Sequence, residues 1–388
     1  MEIKIAIPAS ELLLELTDKK YDPSISLYMP THRSHPDNQK DIIVFKNLVK
    51  QITESLREKY SEKEVQHCIK PFEFLSQNTE LWNKTLDGLA VYSGGDYLKV
   101  IYMQMPVDPL VIVAQRFHTK PLRRYLQSID RYHILSLNLD RVQLFEGNRF
   151  GVSEVELHSE IPKTLTEALG EDLTEKHSTV ASYGGTGGQS ANMHHGDGGK
   201  KDQMDKDTEK FFRIISQAIE KHYSKPMGMP LLLATLPEHQ NLFHKINKNP
   251  WLQKEGIMFS TKFMQGENMA EMAWGIMQKH FLLKLKGLKG KFEQAIGSSN
   301  ASDSLQEVAK AVAEGRVETL LLEQNRIIPG IILDNNSGSV EIGERIRPEQ
   351  GDLLDAIAEM ASEKGAEVVV VKKDNMPTES GIAAIFRY

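Results

Sequence analysis

Residues 184–199 read Gly-Gly-Thr-Gly-Gly-Gln-Ser-Ala-Asn-Met-His-His-Gly-Asp-Gly-Gly, and this stretch constrains the fold more than any other. Seven of its sixteen residues are glycine, and Lys200 and Lys201 follow at once. Glycine loses more backbone entropy on ordering than any other residue and brings no side chain to a core. A compact domain carries such a run where the chain must move or wrap closely around a ligand. Residues 184–201 are therefore expected to be a loop between two structured elements.

The chain has 388 residues, which points to two or three domains. A formal net charge of −6 argues against an evenly basic nucleic-acid coat, while a local basic face remains compatible with RNA. Cys68 is the single cysteine, so neither an internal disulfide framework nor a cysteine-based zinc site is possible. No run approaches the roughly 18 apolar residues of a membrane span, and the first residues lack a signal-peptide pattern. The expectation is a cytoplasmic chain without membrane contact, resident metal or cofactor.

Residues 24–29 read as a buried strand closed by Pro30, and Lys40 to about Tyr60 as an amphipathic helix facing inward with Ile43, Leu48, Ile52 and Leu56. Residues 88–95 and 96–105 form a hairpin or a pair of edge strands. From 131 onward, strands at 133–138, 141–146 and 151–157 are linked by tight turns. A helix then begins after Pro162, and another runs from Asp205 to Tyr223 on a stripe of Phe211, Ile214, Ile215 and Ile219. Leu231 to Ala234 follows as a strand. The order β-β-β-α, loop, α-β suggests a ribonuclease H-like sheet. A helix from Asn268 to about Lys286 opens a third module. There, helices at 305–314 and 352–364 alternate with strands at 317–322, 366–371 and 381–388, as in a layered, partly parallel sheet.

Three features resemble one family. Gly187-Gly188-Gln189 lies in the loop of the middle module. The succession Val308 to Leu322, Glu363 to Val370 and Gly381 to Tyr388 resembles the C-terminal domain of the archaeal and eukaryotic class 1 peptide-release factors and their relative Pelota. Ile25-Ser-Leu-Tyr-Met-Pro-Thr-His-Arg33 resembles the N-terminal domain of the bacterial branch of that superfamily. The resemblance implies an α/β (α+β) chain of three domains. These are a mixed α/β domain over 1–130, a ribonuclease H-like domain over 131–266 carrying the loop, and a Pelota-like α/β sandwich over 267–388.

It also implies work at the ribosome, with peptidyl-tRNA and ribosomal RNA as partners and a GTPase as a possible further one. Gly187 and Gly188 would allow positive φ and close approach to RNA. Gln189 would help place the attacking water through its backbone N–H and exclude larger nucleophiles with its side chain. Glutamine has no useful pKa, so its part is placement, not proton abstraction. Ser190 and Ala191 agree with the family. Residues 192–199 instead extend the loop before Lys200 and Lys201, where the family continues into an arginine-bearing helix. The family's codon-reading Asn-Ile-Lys-Ser tetrapeptide has no counterpart here. Rescue of stalled ribosomes or quality control is thus expected, not stop-codon reading. A non-catalytic ribosome-binding adaptor is the alternative.

Other side chains keep two readings each. His194 and His195, with Asp197 and His177, suit either a metal-dependent hydrolase or an RNA-facing surface. Adjacent histidines in an extended segment point apart, which favours the surface. Lys200, Lys201 and Arg213 could neutralise phosphates, or they belong to a solvated helix interleaved with Asp202, Asp205, Asp207 and Glu209. Lys284 and Lys286 lie in a basic stretch with Lys279, Lys289 and Lys291 that suits an RNA backbone. Arg33, beside His32 and His35, forms a polar site or caps an element. Arg116, Arg123 and Arg124 add positive potential or bridge domains.

Overall fold

The computed structural model describes residues 4–6, 10–33, 36–127, 130–170, 197–258 and 266–388. Two compact units emerge, one of residues 1–129 with 281–388 and one of residues 130–280. The first unit begins with β1 (Lys4–Ala6), α1 (Ser10–Asp18), β2 (Lys20–Pro30), α2 (Asp41–Arg57), α3 (Glu62–Gln77) and α4 (Thr79–Asn83). It continues through β3 (Gly88–Gly94), β4 (Tyr97–Met103), β5 (Leu110–Arg116) and α5 (Lys120–Leu126). The strands order as β1-β4-β3-β2-β5. Residues 88–94 and 97–103 do pair as an antiparallel hairpin. They are interior strands, because β1 adds in parallel beyond β4 and β2 flanks β3.

Alternation along β2 sends Ile25, Leu27 and Met29 into a core with Phe45, Leu48, Ile52, Leu56 and Phe72. Ile43 is 62% exposed, contrary to the expected helix face. Two residues of helix turn it about 200° away from Phe45, which heads the true stripe with Leu48, Ile52 and Leu56.

The second unit holds β6 (Tyr132–Leu137), β7 (Val142–Asn148), β8 (Gly151–Val155), α6 (Leu165–Leu169), α7 (Asp197–Ile219), α8 (Lys225–Met227), β9 (Leu231–Thr235), α9 (Pro237–Ile246) and β10 (Ile257–Met258). Its sheet orders β10-β9-β6-β7-β8. The β6–β7 and β7–β8 pairs are antiparallel, and β6–β9 and β9–β10 are parallel. Numbered within the unit, this is 5-4-1-2-3, the ribonuclease H-like arrangement expected from the order of elements. Both sheet faces are covered. Leu135, Leu137, Leu231 and Leu233 pack with Phe211, Phe212, Ile215 and Ile219 of α7. Tyr132, Ile134, Leu232 and Ala234 pack with Met269, Ala273 and Met277 of α10 (Gly266–Ile296).

The C-terminal part of the first unit contains β11 (Ala301–Ser302), α11 (Leu305–Ala313), β12 (Val317–Glu323), β13 (Pro329–Asp334), β14 (Ser339–Ile342), β15 (Gly351–Asp352), α12 (Leu353–Glu363), β16 (Glu367–Val371) and β17 (Ile382–Phe386). The main sheet orders β11-β17-β12-β16, with β12 and β16 parallel. The helices α11 and α12 close one core with Leu320, Leu322, Ile382 and Ala384. The mixed α/β class stands. Sequence reading does not anticipate the small sheet β14-β13-β15. Its strands alternate weakly and carry exposed residues such as Leu333 and Ile342.

Gly338, at the turn between β13 and β14, has φ +68°. A Cβ there would stand 2.3 Å from the Ala309 carbonyl oxygen and 2.6 Å from Lys310 Cα. Helix backbone cannot yield as a side-chain tip does. Gly338→Ala is expected to cost about 1–3 kcal/mol, read as a lower urea midpoint with unchanged slope.

Candidate functional site

The middle unit carries the glycine-rich segment, and its described residues show how that segment is rooted. Helix α6 is capped at its start, where Thr164 Oγ1 accepts the Glu167 N–H at 3.1 Å and Glu167 Oε2 accepts the Lys163 N–H at 2.8 Å. It ends at Gly170, whose φ is +50°. Leu165 and Ala168 pack against the α7 core face, so the element before the segment rests on the element after it. Gly187, Gly188, Gln189, His194 and His195 lie outside the described residues.

Helix α7 begins at Asp197, not Asp205, so the expected loop ends earlier than 201 and Lys200 and Lys201 belong to the helix's first turns. Gly198 and Gly199 hide this start from a sequence reading, since each disfavours helix by about 1 kcal/mol relative to alanine. The packed helix that follows outweighs the cost. Opposite its buried stripe, α7 exposes Lys206, Lys210 and Arg213, spaced i, i+4, i+7 along one face. Arg213 donates to Glu209 Oε1 through Nε at 3.2 Å and Nη2 at 2.6 Å. Its charge is therefore partly answered on the helix surface.

Lys284 and Lys286 sit within α10, which continues to Ile296, past the expected end at Lys286. Phe281, Leu285 and Phe292 make the buried stripe there. At 100° per residue, Lys284 and Lys291 flank one side of that stripe, and Lys286 and Lys289 the other. These four lysines do not converge on one face. Arg33 forks onto Asp87, Nε to Oδ1 at 2.9 Å and Nη2 to Oδ2 at 2.6 Å. Beside it, buried Asp41 accepts the His32 backbone N–H at 2.8 Å and lies 2.8 Å from His32 Nδ1. The first pair fastens the segment after β2 to the entry of β3, and the second fastens it to the start of α2.

A buried polar seam within the first unit is absent from the sequence reading. A cationic row, Arg116, Lys120 and Arg123, meets an acidic row, Asp352, Asp355 and Glu359. Lys120, 1% exposed, donates from Nζ to Asp352 Oδ2 at 2.6 Å and to the Arg326 carbonyl. Asp355 accepts the Thr119 N–H at 2.7 Å, at the start of α5 where the helix dipole favours an anion. Arg116 pairs with Glu359, and Arg123 Nη1 donates to Ser362 Oγ at 2.7 Å. Arg116 and Arg123 thus pair with side chains of the same unit. Burial holds the His118 imidazole below its usual range, against the pull of Asp355 at 3.4 Å. A cleft of about 670 Å³ opens beside the seam, lined by Tyr21, Arg116, Ile332, Glu359 and Glu363 among others.

Burial pushes the Glu359 carboxyl up to about 7; Arg116 opposes the shift, while Asp355 and Glu363 add to it. The folded state therefore holds this proton more tightly than the unfolded chain does. The resulting stability is fully present below about pH 4.5 and is lost as pH rises through about 7. The loss amounts to about 3 kcal/mol. Comparing urea melts of the parent and Glu359→Gln between pH 5 and 8 isolates this group. The parent's stability should fall relative to the variant's as pH rises, and a constant difference would refute the assignment.

Residues 131–316 match the family described as bacterial archaeo-eukaryotic release factor family 3. Over that span the chain is release-factor-like. The resemblance carried by Gly187-Gly188-Gln189 and the C-terminal rhythm points to the same family, and the role is accordingly related to translation. The matched span covers the ribonuclease H-like sheet, the glycine-rich segment, α10 and α11.

Among solved structures, an archaeal translation termination factor, aRF1, is 16% identical, with 98% of this chain and 97% of that chain covered at a TM-score of 0.25. Saccharomyces cerevisiae Dom34, a translation termination-like factor, is 13% identical over 99% and 94%, at 0.39. Archaeoglobus fulgidus Pelota is 14% identical over 77% and 79%, at 0.28. Likenesses at these scores carry no functional weight for this chain. No curated protein matches it. Among the described residues, no helix is long and apolar enough to cross a membrane.

Proposed function

We propose that this release-factor-like protein hydrolyses the ester of peptidyl-tRNA on ribosomes that have stalled, without reading a stop codon. One observation carries the reading: the family match over residues 131–316 encloses Gly187-Gly188-Gln189. In this reading the protein is a cytoplasmic factor of three domains, divided near 130 and 266, and the middle one presents the tripeptide. Gly187 and Gly188 give the backbone its close approach to RNA, and Gln189 positions water. The ribosome supplies the remaining catalysis, so the protein needs no acid–base pair of its own near the tripeptide. Lys200, Lys201, Lys206, Lys210 and Arg213 extend from the segment along α7 and suit contact with ribosomal RNA phosphates. A GTPase that delivers the factor is part of the proposal.

The test is release of labelled nascent peptide from purified stalled ribosome complexes that lack a stop codon in the decoding site. Release above the protein-free control supports the reading. Co-sedimentation with ribosomes but no release selects the non-catalytic adaptor, a reading motivated by residues 192–199 replacing the family's arginine-bearing continuation. Failure of both sinks the ribosomal role.

A further inference from the structure

A second cluster of chemistry-bearing side chains lies on the middle unit, apart from the histidines of the glycine-rich segment. His158 and Glu160 sit on the connector after β8. His222 sits in a π-helical turn, Glu220–Ser224, that closes α7. A π turn departs from the regular α-helical register and is found frequently at functional sites. Here it places His222 and Tyr223 side by side against the connector. The Tyr223 hydroxyl donates to the Glu156 carbonyl at 2.8 Å and accepts the His158 N–H at 2.8 Å. Those two bonds pin the connector to the turn.

Across that clamp, the His158 and His222 rings stack with centroids 4.0 Å apart and planes 17° apart. His222 Nε2 lies 3.0 Å from Glu160 Oε2. One ligand atom from each of His158, Glu160 and His222 falls within 4.8 Å of the others. Ligand atoms around a tetrahedral Zn²⁺ stand about 3.3 Å apart, given metal–ligand bonds of about 2.0–2.1 Å. Small side-chain rotations close that gap. Among the described residues, the His158 ring accepts a long contact, 3.3 Å from the Glu160 N–H, which is released at little cost. Lys221 Nζ, 2.6 Å from Glu160 Oε2, holds a position that a cation would contest. Lys221 is 66% exposed and free to swing into solvent.

We propose that His158, Glu160 and His222 form a binding site for a divalent transition-metal ion, with Zn²⁺ the best match to two imidazoles and one carboxylate. Three protein ligands leave a fourth position for water or a ligand oxygen. The site joins the connector that leads into α6 to the turn that ends α7. Residues 171–196 lie between those two helices in the chain. Bound metal would thus tie together the elements through which the backbone enters and leaves the glycine-rich segment.

Untagged full-length protein titrated with Zn²⁺ alone in a calorimeter should take up one equivalent at this site. His158→Ala and His222→Ala should each weaken that uptake at least about 100-fold, beyond the effect usual for an outer-shell partner. Lys221→Ala should strengthen it, because the competing ammonium is gone. His194→Ala/His195→Ala should leave it unchanged. The proposal is overturned if the folded parent takes up no zinc at millimolar concentration. It is equally overturned if His158→Ala/His222→Ala binds as the parent does, or if uptake disappears only with the His194 and His195 substitutions.

Discussion

Lys120→Met should destabilise the first unit by about 3–5 kcal/mol, the cost typical of stranding one partner of a buried ion pair. Asp352 would lose the Nζ contact at 2.6 Å, and its side chain is fully buried. Its other oxygen accepts the Ile328 N–H at 3.0 Å and the Leu354 N–H at 3.1 Å, so it cannot turn to water without breaking the start of α12. Asp355 stands close by and adds repulsion once the cation is gone. Lys120→Met/Asp352→Asn should recover a large share of the loss, since an amide oxygen can still accept those backbone bonds and no bare charge remains. Urea unfolding of the two single variants and the double variant gives the coupling directly. A single-variant loss below about 1 kcal/mol would show that the pair is hydrated and that the seam is not a buried network.

Gln189→Ala should lower the rate of peptide release by at least about 10²-fold, the scale for losing one group that positions or stabilises a reacting centre. Ribosome binding should be retained, because the basic residues on α7 are untouched. Gly188→Ala is a sharper probe of the backbone. If the tripeptide needs positive φ to approach RNA, a Cβ blocks that approach whatever the side chain at 189 does. Single-turnover release on stalled complexes, with co-sedimentation as the binding control, separates chemistry from association. Equal release by the parent and Gln189→Ala would remove the catalytic role and leave the adaptor.

Much of the fold was legible where neighbours in sequence are also partners in space. The hairpins of residues 88–103 and 132–155 read correctly, because tight turns and alternating residues specify antiparallel pairing locally. The stripe of Leu305, Val308 and Val312 read correctly for the same reason at helical period. Ile43 misread because a single apolar residue on the wrong face looks like part of a stripe until Phe45 claims the core. The start of α7 was concealed by two glycines that tertiary packing overrides. The small sheet of residues 329–352 was missed because its exposed strands leave little alternation to detect.

The candidate site divides along the same line. Gly187-Gly188-Gln189 is visible in the sequence, since the chemistry proposed for it lies in three consecutive residues. The trio His158, Glu160 and His222 was invisible, because more than sixty residues separate the connector from the turn that meets it. The seam is more distant still: Arg116 and Glu359 are 243 positions apart, and Lys120 and Asp352 are 232 apart.

Local order, strand pairing within hairpins and the identity of the tripeptide follow from the amino-acid sequence alone, because short-range sterics and hydrophobic period decide them. Which lysine meets which aspartate, and which histidine faces which glutamate, was decided only by the tertiary structure. Long-range packing alone sets the distances and the desolvation that turn scattered charges into a network or a binding site.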